Sequence, residues 1–309
     1  MSRQDSFEAI EGVFAAMAQG SARNFPVIRE ALGHADALYG FKSGFDGDAL
    51  NLGLKSGGYW PGNAARGLTN HQSTVFLFDA DTGRCRAVVG GNLLTALRTA
   101  AAAAVSVAHL ARTDARVLGM IGAGHQAAFQ LRAVAAQRSF EKVVGWNRSP
   151  EKLTALAAVA EELGLPFEAV SPAELGAAAD VIVTITSSFA PILKSADIRP
   201  GTHLACMGTD TRGKQEVEAA LVARASVFTD EVAQAVGIGE CQHAVAAGLL
   251  APEAITELGK VIVQEHPGRR SDAEITLFDG TGVGLQDLAV ASRVVELAMA
   301  RGVATDVEF

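Results

Sequence analysis

The sequence predicts an α/β fold: a doubly wound parallel sheet of the Rossmann type, accompanied by a second region of different texture. Three observations carry that expectation. From Arg116 onward, short apolar runs of strand length alternate with segments whose apolar residues recur at helical spacing. At the head of this alternation stands Val117-Leu118-Gly119-Met120-Ile121-Gly122-Ala123-Gly124-His125-Gln126-Ala127, an apolar strand running through a glycine turn into a helix. Between residues 36 and 90 the runs ALYGFKSG, ALNLGLKSG, STVFLFDAD and CRAVVGG follow one another, punctuated by Gly, Pro61 and Asp, which reads as sheet rather than a βα repeat.

Taken in order, residues 5–20 form a first amphipathic helix. STVFLFDADTGRCRAVV is a hairpin whose loop is DADTG. Asn92 opens an Ala-rich helix that continues to about Ala111, where Thr113-Asp114 breaks it. ARVLGMI is then the first strand of the parallel sheet, HQAAFQLRAVAAQ its helix and KVVGWN the second strand. PEKLTALAAVAEEL and PAELGAAA are helices on either side of a third strand, FEAVS. DVIVTIT, THLACMG and SVFTD are the fourth, fifth and sixth strands, and helices are expected around 215–223 and 231–247. ITLFDGTGVGLQD is a strand with a glycine-rich turn, and LAVASRVVELAMARG is the closing helix, apolar on one broad face. There is no repeat at solenoid period and no low-complexity linker.

Composition narrows the function classes. In 309 residues, 49% hydrophobic and 19% charged, there is material for a sizeable core and length for two domains. A net charge of −8 with no basic block argues against a nucleic-acid partner. The N-terminal MSRQDSFEAIEGVF lacks the uninterrupted apolar stretch of a secretory signal, and the run Ala100 to Val105 is too short to span a bilayer. Cys85, Cys206 and Cys241 are scattered, show no metal-ligand spacing and fit inert thiols in a reducing, cytoplasmic setting.

The glycine turn carries the clearest chemistry. Gly122 permits the tight strand-to-helix turn, Gly124 lets backbone N–H groups approach a pyrophosphate, and Ala127, small like the glycine it replaces, lets helix and strand pack closely. The helix N-terminus that follows offers unpaired N–H groups to the phosphates. The plainer reading is an ordinary βα turn. At the end of the second strand no Asp or Glu occupies the place that binds an adenosine ribose in NAD enzymes. Asn147, Arg148 and Ser149 stand there instead, and Arg148 taken alone leans towards the 2′-phosphate of NADP(H). Arg98 and Thr95 share one face of an otherwise apolar helix, and a buried Arg needs a carboxylate or phosphate; the alternative is a structural ion pair. Lys55 and His71 are ambiguous, since most lysines are solvated and most lone histidines structural. Asp210 falls in the loop after a strand, where open parallel sheets bind ligands, although a turn or N-cap aspartate reads equally well.

The segments GNLLTALRTAAAAA, GMIGAGHQA, VGWNRSPEK, PGTHLACMGTDTRGKQE and TLFDGTGVGLQD together resemble, in order and spacing, the ornithine cyclodeaminase and mu-crystallin family. The resemblance covers nearly the whole chain after residue 50. It implies a homodimer of two-domain subunits: residues 1–113 and 282–309 as an α+β substrate-binding and dimerisation domain built from both chain ends, and residues 114–281 as the Rossmann domain. It implies that Lys55 and Arg98 bind the substrate α-carboxylate and that Asp210 is the catalytic acidic residue, Lys55 being the alternative acid. His71 would lie near the nicotinamide, and Arg29 matches an N-terminal family arginine with a one-residue shift in spacing. The implied cofactor set comprises Gly122, Ala123, Gly124, His125, Gln126, Asn147, Arg148, Ser149, Thr184, Thr186, Met207, Gly208, Thr95, Arg98, Thr281 and Val283, with no metal.

FKSG, GLKSGGYWPGN and CMGTDTRGKQE are most similar to the iminosuccinate reductase branch, which implies NADH-dependent reduction of iminosuccinate to L-aspartate in glyoxylate assimilation. The expected cofactor is therefore NAD(H), with NADP(H) as the alternative. Two other readings stand beside it: a cyclodeaminase of a basic amino acid with tightly bound NAD, and a non-catalytic ligand-binding protein like mu-crystallin, against which a carboxylate at Asp210 argues.

Overall fold

The computed structural model describes residues 1–308. They form two compact units: Met1–Arg98 together with the chain from Val283 onward, and Thr99–Gly282.

The first unit opens with helix α1 (Arg3–Gln19), capped by Ser2 and Asp5, which exchange side-chain-to-backbone bonds, and stopped by Gly20 at φ +77°. Six strands follow: β1 (Ala22–Asn24), β2 (Ile28–Ala31), β3 (Leu38–Asp46), β4 (Asn51–Tyr59), β5 (His71–Phe78) and β6 (Cys85–Gly90). β3 to β6 form an antiparallel meander, and β1 and β2 pair with successive halves of the free edge of β3. The β5–β6 turn is the expected DADTG loop, closed by Asp79 Oδ1, which accepts from the Thr82 N–H at 2.8 Å and hydroxyl at 2.6 Å. Helix α2 (Gly91–Leu110) is long and apolar enough by composition to cross a membrane, but 78% of that stretch is buried inside the protein, the mark of a core helix. The joint between the two units lies within it, ahead of the Thr113-Asp114 break.

The second unit holds β7 (Val117–Ile121), α3 (Ala127–Ala135), β8 (Lys142–Trp146), α4 (Leu153–Glu162), β9 (Phe167–Ala169), α5 (Pro172–Ala178) and β10 (Val181–Thr184). It continues with β11 (Phe189–Leu193), β12 (His203–Cys206), β13 (Gln215–Val217), α6 (Ala219–Arg224), β14 (Ser226–Thr229), α7 (Val232–Gly237) and α8 (Gln242–Ala246), and ends with β15 (Thr256–Glu257), α9 (Leu258–Ile262) and β16 (Thr276–Asp279). The main sheet runs β15-β14-β16-β12-β10-β7-β8-β9, every pair parallel. Successive strands move one way from β7 through β8 to β9 and the other way from β10, so the order reverses between β7 and β10, where such sheets place their ligands. Leu118, Met120, Val143, Ile182, Leu204 and Leu277, all buried, show why these strands read as unbroken apolar runs.

Two expected helices are corrected. Residues 215–217 are strand β13, paired in parallel with β11 in a small separate sheet, and only 219–224 are helical. The 231–247 helix is two short helices, α7 and α8. At Gly239 between them, a Cβ would lie 2.4 Å from Asp279 Oδ2, so the chain must pass that carboxylate as bare backbone.

The chain returns to the first unit as α10 (Gly284–Ala300). This helix lies directly on the sheet backbone: at the facing pair Gly44 and Gly53, added Cβ atoms would come within 3.0 Å of Leu285 and 2.9 Å of Leu288.

Candidate active site

The glycine turn at the end of β7 has the geometry of a phosphate cradle. Gly122 sits at φ +105°, and a Cβ there would stand 2.5 Å from the Ile185 carbonyl oxygen, so only glycine lets β7 turn against the end of β10. Nothing lies within 4 Å of a Cβ built on Gly124, and Gly124 and His125 are exposed, leaving the open face that a pyrophosphate requires above the start of α3. Ala127 is buried, as its close packing demands. Asn147 braces the turn: its Oδ1 accepts from the Ala123 N–H at 3.1 Å and its Nδ2 donates to the Ser149 carbonyl at 2.8 Å. Arg148 is exposed beyond it. Gln126 Oε1 is buried without a protein partner, a polar atom that a bound nucleotide can satisfy. These features fit a dinucleotide.

Beyond β10 and β12, two buried carboxylates organise the loops. Glu216 accepts from the Thr184 hydroxyl at 2.7 Å, the Thr186 N–H at 2.6 Å and the Gly208 N–H at 2.9 Å. Glu240 in turn accepts from the N–H groups of Glu216 at 2.9 Å and Val217 at 2.8 Å. Burial pushes Glu240 up to about 8, with the Glu216 charge adding to the effect, and burial likewise raises Glu216. Thr184, expected to touch the cofactor, is fully buried with its hydroxyl committed to Glu216, so it supports the loop from below. Met207 and Gly208 are buried at the end of β12. Asp210 emerges in the loop, half-buried, and its Oδ1 accepts from Lys214 Nζ at 2.7 Å and from the Thr211 hydroxyl at 3.2 Å. Thr281 and Gly282 are held by Asp230, which accepts from the Thr281 hydroxyl and the Gly282 N–H, both at 2.6 Å.

In the first unit the candidate carboxylate binders converge. Lys55 Nζ donates to Thr95 Oγ1 at 2.7 Å and to Asp287 Oδ1 at 3.0 Å, while Arg98 Nε stands 3.3 Å from the same Asp287 oxygen and Arg98 Nη1 donates to Gln286 Oε1 at 3.1 Å. All five residues are buried. Two cations thus share one carboxylate, leaving a buried positive charge that an anionic ligand can match. Asp287 Oδ2 and Gln286 Nε2 are also buried without protein hydrogen-bond partners, so the group retains both an acceptor and a donor for a ligand. Burial drives the Lys55 ammonium down to about 8: Asp287 opposes the shift and Arg98 adds to it. Burial works to raise Asp287, but the Lys55 and Arg98 charges overcome it and hold the carboxyl low.

Strand register adds Lys42, which the sequence alone did not single out. Lys42 lies directly opposite Lys55, on the same face of the sheet, and its charge acts on both Lys55 and Asp287. Arg29, on exposed β2, faces Gly40, and His71 faces Tyr59, which puts both side chains on that face too. Between Arg29 and Ser73 the row across the sheet reads Gly40, Gly57, a floor with no side chains beside the lysines. Val283, fully buried, caps α10, the helix that carries Asp287. Asp287 went unseen because an acid in a helix's first turn is ordinary, and Lys42 because cross-strand pairing is not written in one strand.

A model of the ornithine cyclodeaminase/mu-crystallin family matches residues 1–302. The chain is 66% identical over 308 residues to an iminosuccinate reductase from Paracoccus denitrificans, covering 100% of this chain and 96% of that one. The crystal structure of the iminosuccinate reductase of Paracoccus denitrificans in complex with NAD+ matches with TM-score 0.97 at 66% identity, over 100% of this chain and 96% of that chain. A Δ1-pyrroline-2-carboxylate reductase from Thermococcus litoralis in complex with NADH and L-proline matches with TM-score 0.95 at 27% identity, over 99% and 96% of the two chains. An archaeal alanine dehydrogenase dimer with bound NAD matches with TM-score 0.95 at 31% identity, over 100% and 95%.

Proposed function

The chain belongs to the ornithine cyclodeaminase/mu-crystallin family, and on that premise we propose that it is an NADH-dependent imine reductase that converts an α-imino acid, iminosuccinate, to L-aspartate. The observation that carries the reading is the buried Lys55–Asp287–Arg98 group, whose excess positive charge matches a substrate carboxylate. Arg98 and Lys55 bind and orient the α-carboxylate through charge-assisted bonds. Lys42 and Arg29, on the same sheet face, supply cations suited to a second carboxylate. The Gly122–Gln126 turn would hold the pyrophosphate of the dinucleotide, whose nicotinamide would supply the hydride. Asp210 holds the charge of the protonated imine, which keeps its carbon electron-poor until the amine forms.

NAD(H) is the cofactor of this reading. Asn147 ties the second-strand loop to the glycine turn, Arg148 lies exposed beyond it, and the solved relatives in complex with NAD+ and NADH support the choice. The protein works as a homodimer, through the sheet face turned away from α10, where Ile28, Phe41 and Val88 are exposed and Leu52, Leu54, Phe76 and Phe78 half-buried. The alanine dehydrogenase dimer supports that reading. The free thiols Cys85, Cys206 and Cys241 accord with the reducing cytoplasm.

The test is NADH oxidation with a panel of 2-oxo acids in the presence of ammonia. Turnover with oxaloacetate exceeding that with pyruvate and glyoxylate is expected. Ammonia release from ornithine or lysine without net change in nicotinamide absorbance would instead establish a cyclodeaminase.

A further inference from the structure

The loop that carries Asp210 is gripped from one side by a short stretch of chain. Lys214, immediately before β13, and Glu216 within it are two residues apart. Both reach the same loop. Glu216 accepts from the Gly208 N–H at 2.9 Å, while Lys214 Nζ donates to the Gly208 carbonyl at 3.3 Å and to Asp210 Oδ1 at 2.7 Å. Gly208 is thereby fixed at both its N–H and its carbonyl, two residues ahead of the carboxylate that matters. The far end of the loop is held as well: Gln242 Oε1 accepts from the Gly213 N–H at 2.7 Å. β13 is itself fixed by pairing with β11 and by Glu240, which accepts from the Glu216 and Val217 N–H groups.

An exposed ion pair four residues apart would ordinarily be a surface feature of little consequence. Here the Lys214 side chain is only 18% exposed and spends a second bond on the backbone of the loop it neutralises. We propose that Lys214 is a positioning residue for the reaction: it sets the rotamer of the Asp210 carboxylate, while Glu216 sets the height of the backbone beneath it. The proposal rests on the reading of Asp210 as the group that meets the protonated imine. Without the ammonium the carboxylate keeps the Thr211 hydroxyl but loses its charged partner, and misplacement of such a group by about 1 Å costs on the order of a hundredfold in rate.

The experiment compares Lys214→Met, Lys214→Gln, Lys214→Arg, Asp210→Asn and the Lys214→Met/Asp210→Asn double variant of the full-length enzyme. Steady-state kinetics with oxaloacetate, ammonia and NADH, fluorescence titration of NADH and thermal midpoints are measured for each. Lys214→Met and Lys214→Gln should lower kcat about ten- to a hundredfold, with KM and NADH affinity within about twofold of wild type. Lys214→Arg, which keeps the charge and its reach, should restore most of that loss. The double variant should be no slower than Asp210→Asn alone, because both substitutions remove one function. A wild-type kcat in Lys214→Met beside a crippled Asp210→Asn overturns the positioning role alone. A wild-type kcat in Asp210→Asn overturns the reading of Asp210 and the positioning role with it. Equal losses of kcat and thermal midpoint in the Met, Gln and Arg variants would reduce Lys214 to a structural residue.

Discussion

Lys55 and Arg98 are the residues whose burial has the sharpest chemical consequence. An ammonium lowered to about 8 by desolvation is half lost one unit above neutrality, and only its charged form binds a carboxylate. Substrate affinity should therefore weaken as pH rises through about 8, seen as kcat/KM for the imino acid falling on the alkaline limb while NADH affinity stays level. A limb absent up to pH 10 would remove Lys55 from substrate binding. For Arg98→Ala we expect the fold to persist, since Lys55 still pairs Asp287 at 3.0 Å, and kcat/KM to drop by about 2–4 kcal/mol, mostly through KM. Wild-type kcat/KM with a normal thermal midpoint would refute the assignment. Arg98 was legible in the sequence as a lone cation among Leu and Ala on one helix face. Lys55 was legible only through the family resemblance, because strand alternation reveals two faces without saying which is buried, and its partner Asp287 comes from the other end of the chain.

At the scale of elements, local pattern was readable wherever local chemistry decides it. The βαβ unit around Gly122, the DADTG turn and the closing helix α10 all follow from turn residues and periodicity. β13 was misread as helix because Gln215–Val217 is too short for a periodicity of its own and becomes a strand only by pairing with β11. The breadth of the first sheet hides a second feature. Its β3–β6 meander buries one face under α10 and leaves the other lined by Phe41, Leu54, Phe76 and Val88, an apolar surface of the kind that associates. Val88 is 49% exposed, so Val88→Asp should leave the monomer's own packing intact while placing a charge in that association surface. Sedimentation analysis should show the variant shifted from dimer towards monomer with little change in its circular dichroism. A dimer as tight as wild type would move the interface elsewhere.

For the whole molecule, the buried ionisable groups predict an acid-side stability maximum. Glu240, raised to about 8, and Asp279, raised to about 7 chiefly by burial, retain protons in the folded state that the unfolded chain has already released near pH 4. Between those limits the native state binds more protons than the unfolded state, so stability is full below the unfolded values and declines as pH rises towards about 8. Lys55 acts with the opposite sign in a higher window: the unfolded amine stays protonated up to its ordinary value of 10.5 while the folded one gives up its proton near 8, so stability from this group recovers between the two. Asp287, held low by Lys55 and Arg98, contributes stability that is lost as acid protonates it, which sets the lower boundary. The thermal midpoint of the protein without cofactor should therefore peak near pH 5 and fall by several degrees, on the order of 5 °C, by pH 8. Glu240→Gln should flatten that decline, because an amide has no proton to lose and can still accept from the Glu216 and Val217 N–H groups. A midpoint in the wild type that rises steadily from pH 5 to pH 8 would mean these acids are charged in the folded state, and that the loops beyond β10 and β12 rest on an ionised pair instead.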